Sequence, residues 1–146
     1  MKENFPHSFE GWTALEELRK KFIIEERIEE KRMAEHIERS LKFGKVSKDG
    51  SVIIEKRGLA EKDKVGLVLV MRYLANYLEK EIPSEVTVKE VSKFLSIPEK
   101  EANARLADLI KEKIAVRVKR GIYKINLGRI EDFLTYLENK YLKEQG

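Results

Sequence analysis

Between Val65 and Met71 every residue except Gly66 is apolar, and Leu74 and Leu78 continue the pattern at helical spacing. A helix from about Ala60 to Lys80 with so little polar surface must be enclosed by protein on most sides. Pro83 stops it, because proline has no N–H to give and crowds the turn before it. The run is far shorter than the roughly 18 to 20 residues that cross a bilayer. It therefore reads as a central core helix, touched by the segments before and after it.

A chain of 146 residues fits one domain, or one domain with an appendage. It has no cysteine, which excludes a disulfide framework and thiolate chemistry. Met1 to Phe9 carries no apolar run of the signal-peptide kind, so the expected location is cytoplasmic, with no membrane partner. Charged residues make up 38% of the chain, and Gln occurs once, at Gln145. Lys and Glu enrichment with few thermolabile residues is the pattern of thermophile proteins. Such a composition brings surface charge of both signs, so the net charge of +4 says less than where the cations lie.

Residues 1–58 read as an extension: an N-terminal arm, a long helix and a β-hairpin. The arm holds Phe5, Phe9 and Trp12, expected to pack on the body or on a second subunit. The helix spans about Thr13 to Leu41, with Thr13 and Glu16 in capping-box spacing. Leu15, Leu18, Phe22, Met33, Ile37 and Leu41 share one side, while Ile24 and Ile28 lie nearly opposite. Two partial apolar faces mean that the helix breaks near Glu25 or touches two things, one of them a second subunit. Lys42–Ser47 and Ser51–Lys56 flank Asp49-Gly50, a strong hairpin turn. Val52 and Ile54 fall on one face, Ile53 and Glu55 on the other.

From Ser84 onward the pattern is helix, turn, helix, hairpin, helix. Thr87 with Glu90 forms a second capping-box pattern, with Val88, Val91 and Leu95 inward and Phe94 at the edge. Ser96-Ile97-Pro98 is a turn with Ile97 as its buried anchor, and Pro98 suits the first position of the next helix. That helix runs to about Lys113 with Ala102, Leu106, Leu109 and Ile110 inward. Ile114–Lys119 and Ile122–Leu127 read as strands joined at Arg120-Gly121. Ile114, Val116 and Val118 alternate with Ala115, Arg117 and Lys119; Tyr123, Ile125 and Leu127 alternate with Ile122, Lys124 and Asn126. A final helix, about Arg129 to Lys143, turns Ile130, Phe133, Leu134, Leu137 and Tyr141 inward.

The segment VTVKEVSKFLSIPEKEANARLADLIKEKIAVRVKRGIYKINL resembles a winged helix-turn-helix. With the core helix the resemblance covers residues 59–146; nothing before Leu59 belongs to it. The expected class is mostly α with small β-hairpins. The resemblance implies a recognition helix at Pro98–Lys113 that runs into a basic wing.

Lys113 to Arg129 contains Lys113, Arg117, Lys119, Arg120, Lys124 and Arg129 and no acidic residue. Strand spacing puts Arg117, Lys119 and Lys124 on the solvent face and Arg120 at the tip. Cations on a rigid ribbon neutralise phosphates and release counterions, and a wing can set Arg or Lys into a minor groove. The plain alternative is an edge hairpin kept from aggregating by its charges. On the recognition helix, Lys100, Asn103 and Arg105 are candidates for base or phosphate contact. Glu99 and Glu101 sit beside them, where acidic side chains also favour a helix N-terminus. Arg105 reads equally well as a structural surface residue. Lys42, Lys45, Lys48, Lys56 and Arg57 make the first hairpin basic, most simply as a solvated hairpin.

His7 and His36 are far apart and lack ligand spacing, so neither a metal nor another cofactor is expected. No Gly-rich phosphate loop occurs, and the Glu25-Glu26 and Glu29-Glu30 pairs read as ion-pair faces. An enzyme is not expected. Two functions stay open. One is a DNA-binding regulator of transcription, homodimeric through the N- and C-terminal helices, on double-stranded DNA. The other is a protein-interaction module within a larger assembly, favoured by the acidic start of the recognition helix.

Overall fold

The computed structural model describes the backbone of residues 6–23 and 26–143 and the side chains of residues 14–23 and 29–143. The chain is mostly helical with two small antiparallel sheets. It divides into two compact units, residues 1–34 and 35–146.

The smaller unit contains α1 (Pro6–Phe22) and the start of α2 (Glu26–Ser40). The expected long helix is thus two helices, interrupted between Phe22 and Glu26. α1 begins at Pro6, not at Thr13, because a proline loses nothing in a first turn whose N–H groups have no helical partner. Thr13 and Glu16 consequently lie inside the helix and not at its start. Phe9 and Trp12 are helical as well. Phe5, Ile24 and Glu25, and the side chains of His7, Phe9, Trp12, Glu26 and Ile28, lie outside the described residues. Leu15, Leu18 and Phe22 are exposed, Phe22 at 88%.

The larger unit is built on α3 (Glu61–Leu78), the apolar helix. Val65, Leu67, Val68, Leu69 and Val70 are fully buried. The apolar wrap ends one turn early, since Leu78 is 62% exposed. β1 (Gly44–Val46) and β2 (Val52–Ile54) pair across the Asp49-Gly50 turn, Val46 opposite Val52. Gly50 takes φ +91°, a backbone state that suits glycine. The Ser47 hydroxyl and the Ser51 N–H donate to the Asp49 carboxylate and pull its pKa down to about 2. Val52 is buried and Ile53 exposed, as the alternation predicts. The unit boundary falls well before residue 58, because this hairpin lies on α3 and Arg72 of α3 donates to the Gly50 carbonyl at 3.2 Å.

There follow β3 (Val86–Thr87), α4 (Val88–Leu95), α5 (Glu99–Lys111), β4 (Ala115–Lys119), β5 (Ile122–Ile125) and, after a 3-10 turn at Leu127–Arg129, α6 (Ile130–Tyr141). The sheet order is β3-β5-β4, all antiparallel. β3 is an addition to the two strands that the sequence pattern predicts. α6 buries Ile130, Phe133, Leu134 and Leu137. Gly66 lets it approach α3, for a Cβ there would stand 2.9 Å from Phe133 Cε1 and nearer still to Cζ.

Candidate nucleic-acid interface

The two short helices are fixed by their own ends. Thr87 caps α4: its Oγ1 accepts from the Glu90 N–H at 3.0 Å, and Glu90 Oε1 accepts from the Thr87 N–H at 2.9 Å. Glu90 is held in turn from behind by Arg72, at 3.0 Å. α4 ends at Ser96, a left-handed residue with φ 55°. The Ser92 hydroxyl then donates to the Ile97 carbonyl and closes the turn. Ile97 itself is half-buried, so this hydrogen bond, more than an apolar anchor, sets the bend. Pro98 stands just outside α5, its carbonyl accepting from the N–H groups of Glu101 and Ala102. Ala102, Leu106 and Leu109 seat α5 in the core.

Of the three candidates on α5, Lys100 and Asn103 are exposed near its N-terminus. Arg105 differs. Its Nε donates to Asp108 at 3.0 Å and its Nη1 to Glu61 of α3 at 3.3 Å. The guanidinium ties α5 to α3 and is engaged before any ligand arrives. Glu61 also faces Glu101 and raises the Glu101 carboxyl above the ordinary carboxylate range. With Glu99 beside it, the start of α5 is acidic around Lys100.

On the second hairpin, Ala115 pairs with Ile125 and Arg117 with Tyr123. Ala115, Tyr123 and Ile125 are buried, and directly opposed residues share a face, so this is the core face. The apolar alternation of β4 misleads: Val116 and Val118 are 38% and 39% exposed, and Val116, opposite Lys124, lies on the face away from Ala115. A bulge between Arg117 and Lys119 sets Lys119 opposite Ile122. One extra residue reverses the alternation. Lys119 therefore joins Lys124 on the outer face, while Arg117 stands on the face of Tyr123, past the end of the core. The three cations do not share a single face: the register sets Lys124 opposite Val116 and so away from Arg117, and the bulge moves Lys119 from the face of Arg117 to that of Lys124. Arg117, Lys119 and Arg120 are exposed and Lys124 half-buried. Leu127 leaves the strand for the 3-10 turn and is 54% exposed.

Several cations of the larger unit are held in ion pairs. Lys62 pairs with Glu112, Arg39 with Glu131 and Glu138, Arg72 with Glu90, Arg105 with Glu61 and Asp108, and Lys140 with Asp63. Among the described residues, Arg117, Lys119, Arg120 and Lys124 have no carboxylate within 4.0 Å. The first hairpin is partly neutralised, Lys45 standing 3.4 Å from Glu55.

Two buried charges escape the sequence reading, Asp63 and Arg72, each 1% exposed. Asp63 accepts from the hydroxyls of Tyr136 and Tyr141 and from Lys140 Nζ at 3.2 Å. Tyr141, expected inward in the apolar core, instead links this carboxylate to the Ala60 N–H. Both residues cross-link elements of the framework. Among the described residues there is no cluster of His, Cys, Asp and Glu able to hold a metal ion, and no helix long and apolar enough to cross a membrane. The chain matches no protein-family model, no curated protein and no solved structure.

Proposed function

We propose that the residues from Leu59 onward are a winged helix-turn-helix that holds duplex DNA mainly by its phosphates, through the hairpin of β4 and β5, and serves as a DNA-associated regulator. The order of a core helix, two short helices and a two-stranded hairpin supports this reading. One observation carries the functional reading: Arg117, Lys119, Arg120 and Lys124 are grouped on one paired ribbon with no acidic partner among them. Unpaired cations release counterions when they meet phosphate. On this reading Lys100 and Asn103 approach the major groove, and Arg105 positions α5 without touching DNA. The acidic neighbours of Lys100 keep base readout weak, so the complex is steep in salt and shallow in sequence preference.

Fluorescence anisotropy on a random-sequence duplex tests this. If three to four phosphates are neutralised, log K falls against log salt with a slope of about −3. Arg117→Glu, Lys119→Glu and Arg120→Glu together abolish binding, and Arg105→Gln changes it little while lowering stability. Binding retained by the triple variant overturns the reading. A protein-interaction module is the second reading, favoured by Glu99 and Glu101 at the start of α5 and by Glu61 of α3 beside Glu101. It requires little duplex affinity at moderate salt and a stable complex with a partner protein that Glu99→Lys with Glu101→Lys disrupts.

A further inference from the structure

A concave apolar site lies on the larger unit, away from the second hairpin. It has a volume of about 270 Å³ and is enclosed by the end of α2, by β1 and its turn, and by the second half of α3. Ile37, Met71, Leu74 and Ile82 make its walls. The size is near the lower end for small-molecule pockets, roughly 300 Å³ and upward. Its walls are braced. Arg72 holds the Gly50 carbonyl of the hairpin turn and the Pro83 carbonyl beyond Ile82. The Phe43 carbonyl accepts from the N–H groups of both Glu55 and Lys56. Collapse of the site would break these bonds.

Two features say what the site would hold. Ser40, one of the lining residues, is 4% exposed and its hydroxyl has no hydrogen-bond partner. A buried hydroxyl without a partner is a standing cost, and a serine side chain reaches other partners by moving between staggered positions. The charged lining residues are Lys45, Lys48 and Glu79, an excess of one positive charge. Lys45 already faces Glu55, which leaves Lys48 to meet an incoming anion.

We propose that this cavity binds a small, mainly apolar molecule with a single anionic group, a short-chain or aromatic monocarboxylate. The apolar body lies against Met71 and Leu74, a carboxylate oxygen accepts from the Ser40 hydroxyl, and Lys48 balances the charge. Nothing in this depends on DNA contact.

The test uses the full chain with octanoate and phenylacetate as probes, and octanol and phenylacetamide as their uncharged counterparts, followed by ligand-observed NMR titration. Saturable binding is expected, about tenfold tighter for the carboxylates, a step worth about 1.4 kcal/mol. Ala75→Phe, which fills the cavity, abolishes binding with the melting temperature kept. If that variant does not fold, Ala75→Leu replaces it and weakens every probe. Ser40→Ala weakens the carboxylates alone, and Lys48→Glu removes their advantage over the neutral probes. The absence of saturable binding in the millimolar range overturns the proposal, as does binding that ignores the residue at 75. Equal affinity for octanol overturns the anionic assignment. Leu41 and Leu78 at the rim are 56% and 62% exposed. A dimer in solution that Leu78→Asp separates would make the site a subunit contact, and this too overturns the proposal.

Discussion

A guanidinium at 1% exposure is tolerated only where its N–H groups find acceptors. Arg72 finds four: the carbonyls of Pro83 at 2.7 Å, Glu85 at 3.0 Å and Gly50 at 3.2 Å, and the Glu90 carboxylate at 3.0 Å. Arg72→Met would leave buried carbonyls without donors, and about 3 to 5 kcal/mol of stability should disappear in urea denaturation. Arg72→Lys should recover little, because an ammonium does not reproduce the planar fork. Arg39 offers a milder case with a pH signature. A hydrogen bond from Arg39 holds the Glu138 carboxyl below its ordinary value. The folded pKa lies below the unfolded one, so the stabilisation is complete above the unfolded value of about 4.5 and lost as pH falls through the folded value. Both side chains keep some solvent contact, which limits the pair to about 1 kcal/mol. The melting-temperature gap between the wild type and Arg39→Met should be constant from neutral pH to about pH 5 and close below that. A gap unchanged at pH 3 would remove Glu138 from the account.

At the scale of elements, the contact of α3 with α6 runs over Gly66. In an open helix Gly→Ala gains about 1 kcal/mol from propensity. Here the added methyl meets the ring of Phe133, itself 2% exposed and unable to swing away. Overpacking costs about 1 to 3 kcal/mol, so Gly66→Ala should lower the melting temperature, and Phe133→Leu in the same chain should restore part of it. Most elements were legible beforehand. α3 announced itself by apolar density, α4 by the Thr87–Glu90 box, and the first hairpin by Asp49-Gly50. β3 was not, since two residues carry no period. The bulge in β4 was not, since strict alternation assumes that no residue is added. The true start of α1 was hidden because Thr13 and Glu16 mimic a cap inside a helix. The candidate cations of the second hairpin could be chosen from sequence, whereas the engagement of Arg105 could not, because Glu61 lies 44 positions away.

For the whole molecule, the open question is pairing. α6 uses Ile130, Phe133, Leu134 and Leu137 within its own chain, and Glu131, Asp132 and Thr135 on it are exposed. The pairing proposed for α6 therefore finds no free apolar stripe there. α1 has one in Leu15, Leu18 and Phe22, so we propose that copies associate through α1. A mass measurement should give a dimer, and Leu18→Glu with Phe22→Glu should give a monomer of unchanged melting temperature. A wild-type monomer at high concentration would discard the idea. The register of β4 on β5 has an effect beyond either strand. A flat ribbon with its cations on one side suits a partner that approaches broadside. With Arg117 turned one way and Lys119 and Lys124 the other, this hairpin resembles a blade charged on both cheeks, and under the proposed function it would enter edgewise between two negatively charged ridges.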